Sequence, residues 1–442
     1  MIKAAQQAFA RRPYRTIFII VLVVIVLHLL FGFQDLTQNH GTTPPPLTAQ
    51  HAGHHAQPEG FQVAHNGFPV QQPAEALAPV AVKVDYSDLK INLDPIRQTE
   101  TSGFAVPAVE PIEVAPTKRA KACFVILVRN GDIHDLRATM RELEDRFNHK
   151  FNYPYVFLNN EPFSDEFKDL TSTATSANTS YGLIPREHWG YPSWISEQKA
   201  ADARVEMKDV IYGSSESYRH MCRYESGFFF RHPLMEQFDY YWRVEPGVKF
   251  MCDIDYDPFL YMQERQLKYG FTISIHELVK TIPTLWKTTK QFMRENSQLV
   301  AHPNTLEWVT DPRTGDYNLC HFWSNFEIAS LGFLRSEQYL SYFDYLDKAG
   351  GFFYERWGDA PVHSLAVAMF LRKDEVHWFD DIGYFHNPMN NCPTDPQINR
   401  NKCHCDPTKS IHHSSYSCTK EFMALDPMSD YSDRILNEHG GS

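Results

Sequence analysis

ACFVILVRNGDIHDLRATMRELEDRFNHKFNYPYVFL, residues 122 to 158, is the stretch that predicts the class of fold. It begins with Ala122–Val128, a continuous apolar run of the kind found in a strand buried on both faces. A second strand is predicted at Tyr155–Leu158. Between them, apolar residues recur at the spacings of an amphipathic helix: Leu136, Met140, Leu143, Phe147 and Phe151. The order strand, turn, helix, strand predicts a βαβ unit and therefore an α/β fold.

The turn that joins the first strand to the helix, Arg129–Asp132, is a candidate ligand site. Ligands of open α/β sheets bind beyond the carboxyl ends of the strands, and this turn follows such an end. Many α/β proteins begin with the same unit, so the unit alone does not identify a function.

The N-terminal part of the chain predicts a membrane anchor. Residues 16–33, TIFIIVLVVIVLHLLFGF, are about long enough to cross a bilayer core of roughly 30 Å. Four basic residues and no acidic one precede this run, so residues 1–15 are predicted to be a cytosolic tail and the bulk of the chain to be luminal. The competing interpretation is a cleaved signal peptide, but the run exceeds a normal h-region and no Ala-x-Ala site follows it.

Residues 34–117 predict a disordered, Pro-rich stem. Eleven of these 84 residues are proline and four are aromatic, so the segment cannot bury enough apolar surface to offset its ordering entropy. Residues 118–442 have globular texture and are predicted to form one large luminal catalytic domain, with two tightly joined domains as the alternative.

Composition and missing motifs exclude several classes of protein. The chain has 442 residues and a formal net charge of -12, so it lacks the positive field of a nucleic-acid binder. There is no P-loop, no G-x-G-x-x-G and no G-x-S-x-G, which argues against P-loop phosphoryl transfer and α/β-hydrolase chemistry. His276-Glu277 starts like the HExxH motif of zinc proteases, but Lys280 replaces the second histidine.

Eight cysteines in a predicted luminal domain favour disulfides. The late group, Cys392, Cys403, Cys405 and Cys418, is expected to staple a loop-rich C-terminal segment, with a connectivity that the spacing does not determine. A zinc site that includes His404 and His412 or His413 is the less favoured alternative, because C-x-C lacks the usual C-x-x-C spacing. Cys123 lies inside the first strand and is interpreted as a buried free thiol. Asn178-Thr179-Ser180 is a glycosylation sequon in a polar context.

Three further residues are candidates for the chemistry. Glu245 ends an aromatic strand and is followed by Pro246 and Gly247, an arrangement that suits an oxygen ligand for Mg²⁺ or Mn²⁺ and equally suits a solvated turn. Glu327 lies among aromatic residues, where a carboxylate is costly unless it is paired or functional; the alternative is a helix-surface glutamate behind core aromatics. His386 precedes a turn, and a lone histidine there is more often structural than a ligand.

Long strings of this sequence resemble one family, the fungal α-1,2-mannosyltransferases of the Golgi, which extend O-linked and N-linked mannan chains. The resemblance runs from Lys118 to about Pro393 and includes the predicted tail, anchor and stem. The strings that carry it are YGLIPREHWGYPSWI at 181–195, SYRHMCRYESGFFF at 217–230, YYWRVEPGVKFMCDIDYDPF at 240–259, YNLCHFWSNFEIA at 317–329, ERWGDAPVHSLA at 355–366 and GYFHNPMNNCP at 383–393.

The resemblance implies a GT-A-like fold, a mixed α/β sheet flanked by helices, that binds GDP-mannose with Mn²⁺. Where most GT-A enzymes have a DxD motif this family has Glu-Pro-x, so Glu245 is the implied first metal ligand and His386 the second. Gly247 removes the second carboxylate that a DxD motif would supply.

The resemblance also implies a retaining reaction, because the donor and the family's product are both α-linked. Glu327 matches the family's proposed nucleophile, and it serves either as that nucleophile or as an electrostatic stabiliser of the cationic sugar in a front-side attack. Tyr218 matches a family tyrosine near the reacting groups, with a core tyrosine as the alternative.

Nucleotide and sugar contacts are assigned by the same comparison. Arg129 is the expected contact for the guanosine diphosphate region and Asp359 for sugar hydroxyls, although both also fit salt-bridged scaffold residues. Trp189, Tyr191 and Trp194 are candidates for an acceptor platform or for the core.

The function predicted from these residues is a Golgi α-1,2-mannosyltransferase, a single-pass type II membrane protein. Its acceptor would be a mannose-terminated glycoprotein or glycan. The alternatives are a catalytically inactive, membrane-tethered mannan-binding or scaffold protein, and a hydrolase that uses Glu245 and Glu327 as a carboxylate pair.

Overall fold

A computed structural model describes residues 118–432 and residue 435. The predicted tail, anchor and stem, residues 1–117, lie outside the described residues. Within the part of the chain that is described, no helix combines the length and the apolar composition needed to cross a bilayer.

Twelve strands are numbered here in chain order. They are β1 (Ala122–Leu127), β2 (Tyr155–Asn159), β3 (Thr179–Leu183), β4 (Tyr240–Arg243), β5 (Lys249–Phe250), β6 (Tyr269–Phe271), β7 (Ser274–His276), β8 (Cys320–Phe322), β9 (Glu327–Ser330), β10 (Val376–Trp378), β11 (Tyr384–His386) and β12 (Met389–Asn391). The α-helices are α1 (Ile133–Leu143), α2 (His149–Phe151), α3 (Asp165–Ser172), α4 (Glu197–Glu206), α5 (Glu216–Gly227), α6 (Pro258–Glu264), α7 (Leu285–Glu295), α8 (Leu306–Val309), α9 (Leu331–Leu334), α10 (Glu337–Ala349), α11 (Gly351–Tyr354), α12 (Asp359–Phe370), α13 (Pro396–Lys402) and α14 (Thr419–Ala424).

Seven of the strands form a mixed central sheet in the order β10-β6-β9-β4-β1-β2-β3. Strand β9 runs antiparallel to both of its neighbours, β4 and β6, and every other neighbouring pair in this sheet is parallel. The amino end of β9 therefore lies at the same edge as the carboxyl end of β4. Helices pack on the sheet, so the predicted mixed α/β class is confirmed.

The opening βαβ unit is the one that the sequence predicts. Strands β1 and β2 pair in parallel, with Phe124 opposite Tyr155. Alternate β1 side chains enter different cores: Cys123 and Val125 pack on one face of the sheet, and Phe124 on the other. Burial on both faces explains why β1 is a continuous apolar run and not an alternating one.

The predicted helical stripe is not a single regular helix. Helix α1 is followed by a π-helical segment at Glu144–Asn148 and then by α2. The buried Glu144 carboxylate accepts hydrogen bonds from Asn148 Nδ2 at 2.8 Å and from the Tyr155 hydroxyl at 2.7 Å. The π segment lets these contacts form while Phe147 stays in the core.

A second sheet has the strand order β12-β11-β5, and its strand β5 follows the turn after β4. A third sheet pairs β7 with β8. Three disulfides join these parts: Cys252–Cys403, Cys320–Cys418 and Cys392–Cys405. All four late cysteines are in disulfides, as expected, and only Cys392–Cys405 lies within the C-terminal segment. Cys403 and Cys418 instead pair with partners near β5 and β8, because backbone contacts bring those segments together. Cys123 is buried and free, as predicted, and so is Cys222.

Candidate active site

A cavity of about 640 Å³ opens at the carboxyl ends of β1, β2 and β4. Its size lies in the range of small-molecule sites, and its position is the one expected for a ligand of an α/β sheet. The predicted Arg129–Asp132 turn forms part of its wall. The residues that line it include Arg129, Asn130, Gly131, Asp132, Asn159, Asn160, Glu161, Trp189, Tyr212, Ser215, Ser217, Tyr218, Met221, Arg243, Glu245 and Pro246.

Glu245 is placed by a tight turn at the end of β4. The Val248 amide donates to the Glu245 carbonyl at 3.5 Å, and Gly247 has a φ of +85°. Proline at the second position and a left-handed residue at the third are the signature of a type II turn. Glycine is favoured at Gly247 for this reason, and the same requirement removes the second carboxylate of a DxD motif.

The structure brings the two predicted metal ligands together. His386 ends β11, and its Nε2 lies 3.4 Å from Glu245 Oε2. Both side chains are about 30% exposed, and the His386 ring packs edge-on against Trp323. One carboxylate oxygen and one imidazole nitrogen, accessible and adjacent, form a donor set that suits Mn²⁺.

Arg243, which the sequence analysis did not single out, connects Glu245 to the interior. Its guanidinium donates to Glu245 at 2.7 Å and to Asp359 at 2.5 Å, and it lies 3.7 Å from Glu327 and 4.0 Å from Glu225. Burial alone would raise the pKa of Glu245, but Arg243 and His386 hold it below its ordinary value. The sequence does contain a signal that could have identified Arg243, namely a charged residue at the end of an otherwise aromatic strand.

Two carboxyl groups near Arg243, those of Glu225 and Asp359, have pKa values shifted in opposite directions. Burial raises the pKa of Glu225 to about 7, even though Arg243 opposes this effect. Burial also acts on Asp359, but Arg243, His363 and the Ser324 hydroxyl lower the pKa of this carboxyl to about 2. Asp359 is therefore ionised and bound to scaffold residues, and its assignment to sugar hydroxyls stays a prediction.

Glu327 is the first residue of β9 and is fully buried. The register pairs it with Arg243 on β4, so Arg243 links it to the cavity. Its carboxylate accepts from the Tyr241 hydroxyl at 3.2 Å and lies 2.9 Å from His363 Nδ1. The alternative of a helix-surface glutamate is wrong, because Glu327 is an interior strand residue.

Tyr218 lines the cavity from the first turn of α5, whose amino end is capped by Ser215. Its ring stacks on Tyr212 at a centroid distance of 4.5 Å. The Arg356 guanidinium lies 5.3 Å from the centroid of the same ring. Burial raises the pKa of the Tyr218 hydroxyl, which stays protonated and able to donate. Tyr218 thus packs against the core and also lines the cavity, and its role near the reacting groups stays a prediction.

The remaining predicted residues lie in different places. Arg129 lines the cavity with an exposed side chain and pairs with Asp132 at 3.4 Å. Of the three aromatic candidates for an acceptor platform, Trp189 lines the cavity, whereas Tyr191 packs against His220 and Phe353, and Trp194 donates to the Asp347 carbonyl. Asn178 is exposed just before β3, where a glycan has room.

The geometry of this site agrees with what comparison of the whole chain shows. The profile of a family described as glycolipid 2-alpha-mannosyltransferase matches residues 80–427. The chain belongs to this family. Among relatives of the mannosyltransferase family, alpha-1,2 mannosyltransferase KTR1 of Saccharomyces cerevisiae is 56% identical over 331 residues, which cover 74% of this chain and 84% of that protein. O-glycoside alpha-1,2-mannosyltransferase omh1 of Schizosaccharomyces pombe is 48% identical over 326 residues, 73% of this chain and 83% of that protein.

Solved structures of the mannosyltransferase family share the fold. Core-mannan synthase A (CmsA/Ktr4) of Aspergillus fumigatus, in an Mn/GDP form, is 42% identical with a TM-score of 0.65 over 74% of this chain and 87% of that chain. Ktr4p of S. cerevisiae in complex with GDP is 38% identical with a TM-score of 0.67 over 72% of this chain and 84% of that chain. The chain is a glycosyltransferase that transfers mannose, and the predicted family, fold class and enzyme class are confirmed.

Proposed function

We propose that this chain is a retaining α-1,2-mannosyltransferase that uses GDP-mannose and Mn²⁺. The observation that carries the proposal is the Glu245–His386 pair beside the cavity at the carboxyl edge of the sheet. The solved Mn/GDP and GDP complexes of the two Ktr4 relatives support the same donor and metal here.

The residues present fit a divalent cation and a nucleoside diphosphate. Glu245 and His386 would hold the metal, and the cavity walls at Arg129 and the following turn would hold the nucleotide. When bound, the cation would neutralise the negative charge that develops on the leaving diphosphate. Arg243 fixes the Glu245 carboxylate, and the type II turn fixes its backbone.

Glu327 is buried behind Arg243, which lines the cavity. Arg243, Tyr241 and His363 surround its carboxylate and hold it in one orientation. It would serve as the nucleophile, or it would stabilise a cationic sugar electrostatically, and either route requires a carboxylate at this position. Tyr218, protonated and in the cavity wall, would orient the donor or the acceptor hydroxyl.

The acceptor, the membrane anchor and the compartment extend the same proposal. A mannose-terminated glycoprotein or glycan would reach the cavity past Tyr212 and Trp189, both of which line it. Residues 16–33 would anchor the protein in the Golgi membrane as a type II protein, with the catalytic domain in the lumen and with Asn178 glycosylated.

The test uses the purified full-length chain in detergent with GDP-mannose, Mn²⁺ and α-methyl mannoside. Metal-dependent GDP release together with an α-1,2-linked disaccharide is expected. The variants Glu245→Gln and His386→Gln should raise the Mn²⁺ concentration needed for half-maximal rate by about tenfold or more, as expected when one metal ligand is weakened. Glu236→Gln, an exposed carboxylate away from the cavity, is the control.

Two outcomes contradict the proposal. A folded chain that binds GDP and mannosides yet makes no disaccharide would identify a mannan-binding protein. Release of free mannose from α-mannosides without GDP-mannose or metal would identify a hydrolase.

A further inference from the structure

His363 is a titratable residue in a helix whose other residues are mostly apolar. Helix α12 has the sequence DAPVHSLAVAMF, and the side chain of His363 is 1% exposed. Its ring packs edge-on against Tyr339 of α10 at a centroid distance of 5.9 Å. A buried histidine is costly in its charged form unless polar groups compensate, so its partners decide its state.

Both ring nitrogens of His363 face hydrogen-bond acceptors. Nδ1 lies 2.9 Å and 3.1 Å from the two carboxylate oxygens of Glu327, and Nε2 lies 3.3 Å from the main-chain oxygen of Glu225. A neutral imidazole carries one N–H and satisfies one of these acceptors, whereas an imidazolium donates to both. The geometry therefore selects the imidazolium.

The surrounding charges agree with this state. Burial by itself would lower the pKa of His363, but Glu327 and Asp359 outweigh burial and the opposing Arg243, and they raise it. His363 is thus a second buried cation, beside Arg243, in a cluster of four carboxyl groups.

We propose that His363 is a positioning residue for mannosyl transfer, which holds the Glu327 carboxylate in a fixed orientation through its Nδ1 contact. The proposal rests on the role given to Glu327 in the proposed function. His363 does not line the cavity and acts through Glu327 alone, so its loss should slow the chemical step without weakening donor binding.

The experiment compares His363→Phe and His363→Asn in the full-length chain. Phenylalanine keeps the ring that packs on Tyr339 but removes both donors. Asparagine keeps an amide N–H near the Nδ1 position without the charge. We expect His363→Phe to lower kcat by about tenfold to a hundredfold with KM for GDP-mannose changed by less than about twofold, because a hydrogen bond to a charged group is lost. His363→Asn should lose less. His232→Asn, at a buried histidine that does not line the cavity and does not contact Glu327, is the matched control for burial.

A double substitution separates positioning from general destabilisation. If His363 acts through Glu327, the kcat of Glu327→Gln should not fall further when His363→Phe is added. Multiplicative losses in the double variant would overturn the proposal, and so would a wild-type kcat in folded His363→Phe. If His363→Phe does not fold, a wild-type kcat in His363→Asn overturns it, and a reduced kcat with unchanged KM supports it. A wild-type kcat in Glu327→Gln would instead contradict the role of Glu327 in the proposed function.

Discussion

Arg243 is the residue that connects Glu245, the proposed metal ligand, to the buried carboxylates. Its guanidinium reaches Glu245 through one terminal nitrogen and Asp359 through the other. A planar fork with several fixed donors can do this, whereas a lysine ammonium on a flexible stem is a single point of charge. Both positive charge and geometry are therefore needed at this position.

We predict that Arg243→Lys will lower kcat by about tenfold or more and raise the Mn²⁺ requirement, because the Glu245 carboxylate loses a fixed donor. The measurement is the initial rate as a function of Mn²⁺ concentration. Arg223→Lys is a matched control, since Arg223 forms a comparably buried bidentate pair with Asp347. It should cost stability and leave the Mn²⁺ dependence unchanged; equal effects of the two variants would show that Arg243 only supports the fold.

At the scale of residues, the sequence predicted those groups whose identity alone suggests chemistry. Glu245 and His386 were paired by resemblance and lie 3.4 Å apart. Arg243 and His363 were not assigned, because their roles depend on partners far along the chain: Asp359 is 116 residues from Arg243. Local spacing contains no information about such pairs.

The turn between β4 and β5 is the element on which the proposed metal site depends. It joins the central sheet to the second sheet, and β5 pairs with β11, which carries His386. Strand β5 follows this turn directly, yet it belongs to the second sheet and not to the central one. Strand pairing is decided by tertiary contacts, so a local pattern predicts the existence of a strand better than it predicts its partner.

We predict that Gly247→Ala will lower the free energy of unfolding by about 1 kcal/mol, because an L-residue is strained at a φ of +85°. The added Cβ would meet no atom within 4 Å, so the cost is purely conformational. Denaturant unfolding and Mn²⁺ affinity are the measurements. Gly332→Ala is the control, because its φ is ordinary and its nearest contact is 3.4 Å away; an equal loss there would argue against backbone strain at Gly247.

The C-terminal segment contains a histidine whose neutral form stabilises the fold. His412 is buried, and its Nε2 lies 2.7 Å from Asn391 Oδ1 on β12. Burial, with smaller contributions from His413 and Lys420, lowers its pKa from 6.5 to about 4. Because the unfolded chain binds a proton at higher pH than the folded chain, this contribution is complete above pH 6.5 and is lost as the pH falls towards 4.

We predict that His412 accounts for about 2 kcal/mol of the fall in unfolding free energy between pH 7.5 and pH 5. His412→Gln should therefore show a correspondingly smaller fall, as measured by denaturant unfolding at a series of pH values. His413→Gln, at the exposed neighbouring position, should change the slope far less, because His413 makes only a smaller contribution to the pKa of His412. An unchanged slope in His412→Gln would refute the assignment.

At the scale of the whole molecule, disulfides connect residues 403–418 to β8 and to the segment that follows β5. Cys252–Cys403 closes a loop of 151 residues and Cys320–Cys418 one of 98, whereas Cys392–Cys405 closes only 13. Sequence reasoning predicted the presence of disulfides from the even cysteine count. It did not predict their partners, which depend on the register of β5 and β8 with the C-terminal segment.

We predict that removing Cys252–Cys403 by alanine substitution of both residues will cost about 5 kcal/mol, and that removing Cys392–Cys405 will cost about 3 kcal/mol, since longer loops lose more entropy when closed. Denaturant unfolding of the two double variants gives the comparison. The first variant should also bind Mn²⁺ more weakly, because Cys252 lies against Gly383 next to β11. The reverse order of stability losses would contradict the loop-length argument.

The position of β9 in the central sheet has a consequence for how the protein is made. Strands β4 and β6 are separated in the sheet by β9, which follows β6 in the chain by more than 50 residues. Strand β4 pairs with β1 on one edge and with β9 on the other. During synthesis from the N-terminus, the second edge has no partner until residues 327–330 have left the ribosome. The sheet therefore closes late, through contacts of high sequence separation that fold slowly. Until that moment the nascent chain presents an unpaired edge that other strands can join. The same late strand carries Glu327. The pairing of β9 therefore removes the exposed edge and completes the site at the same time.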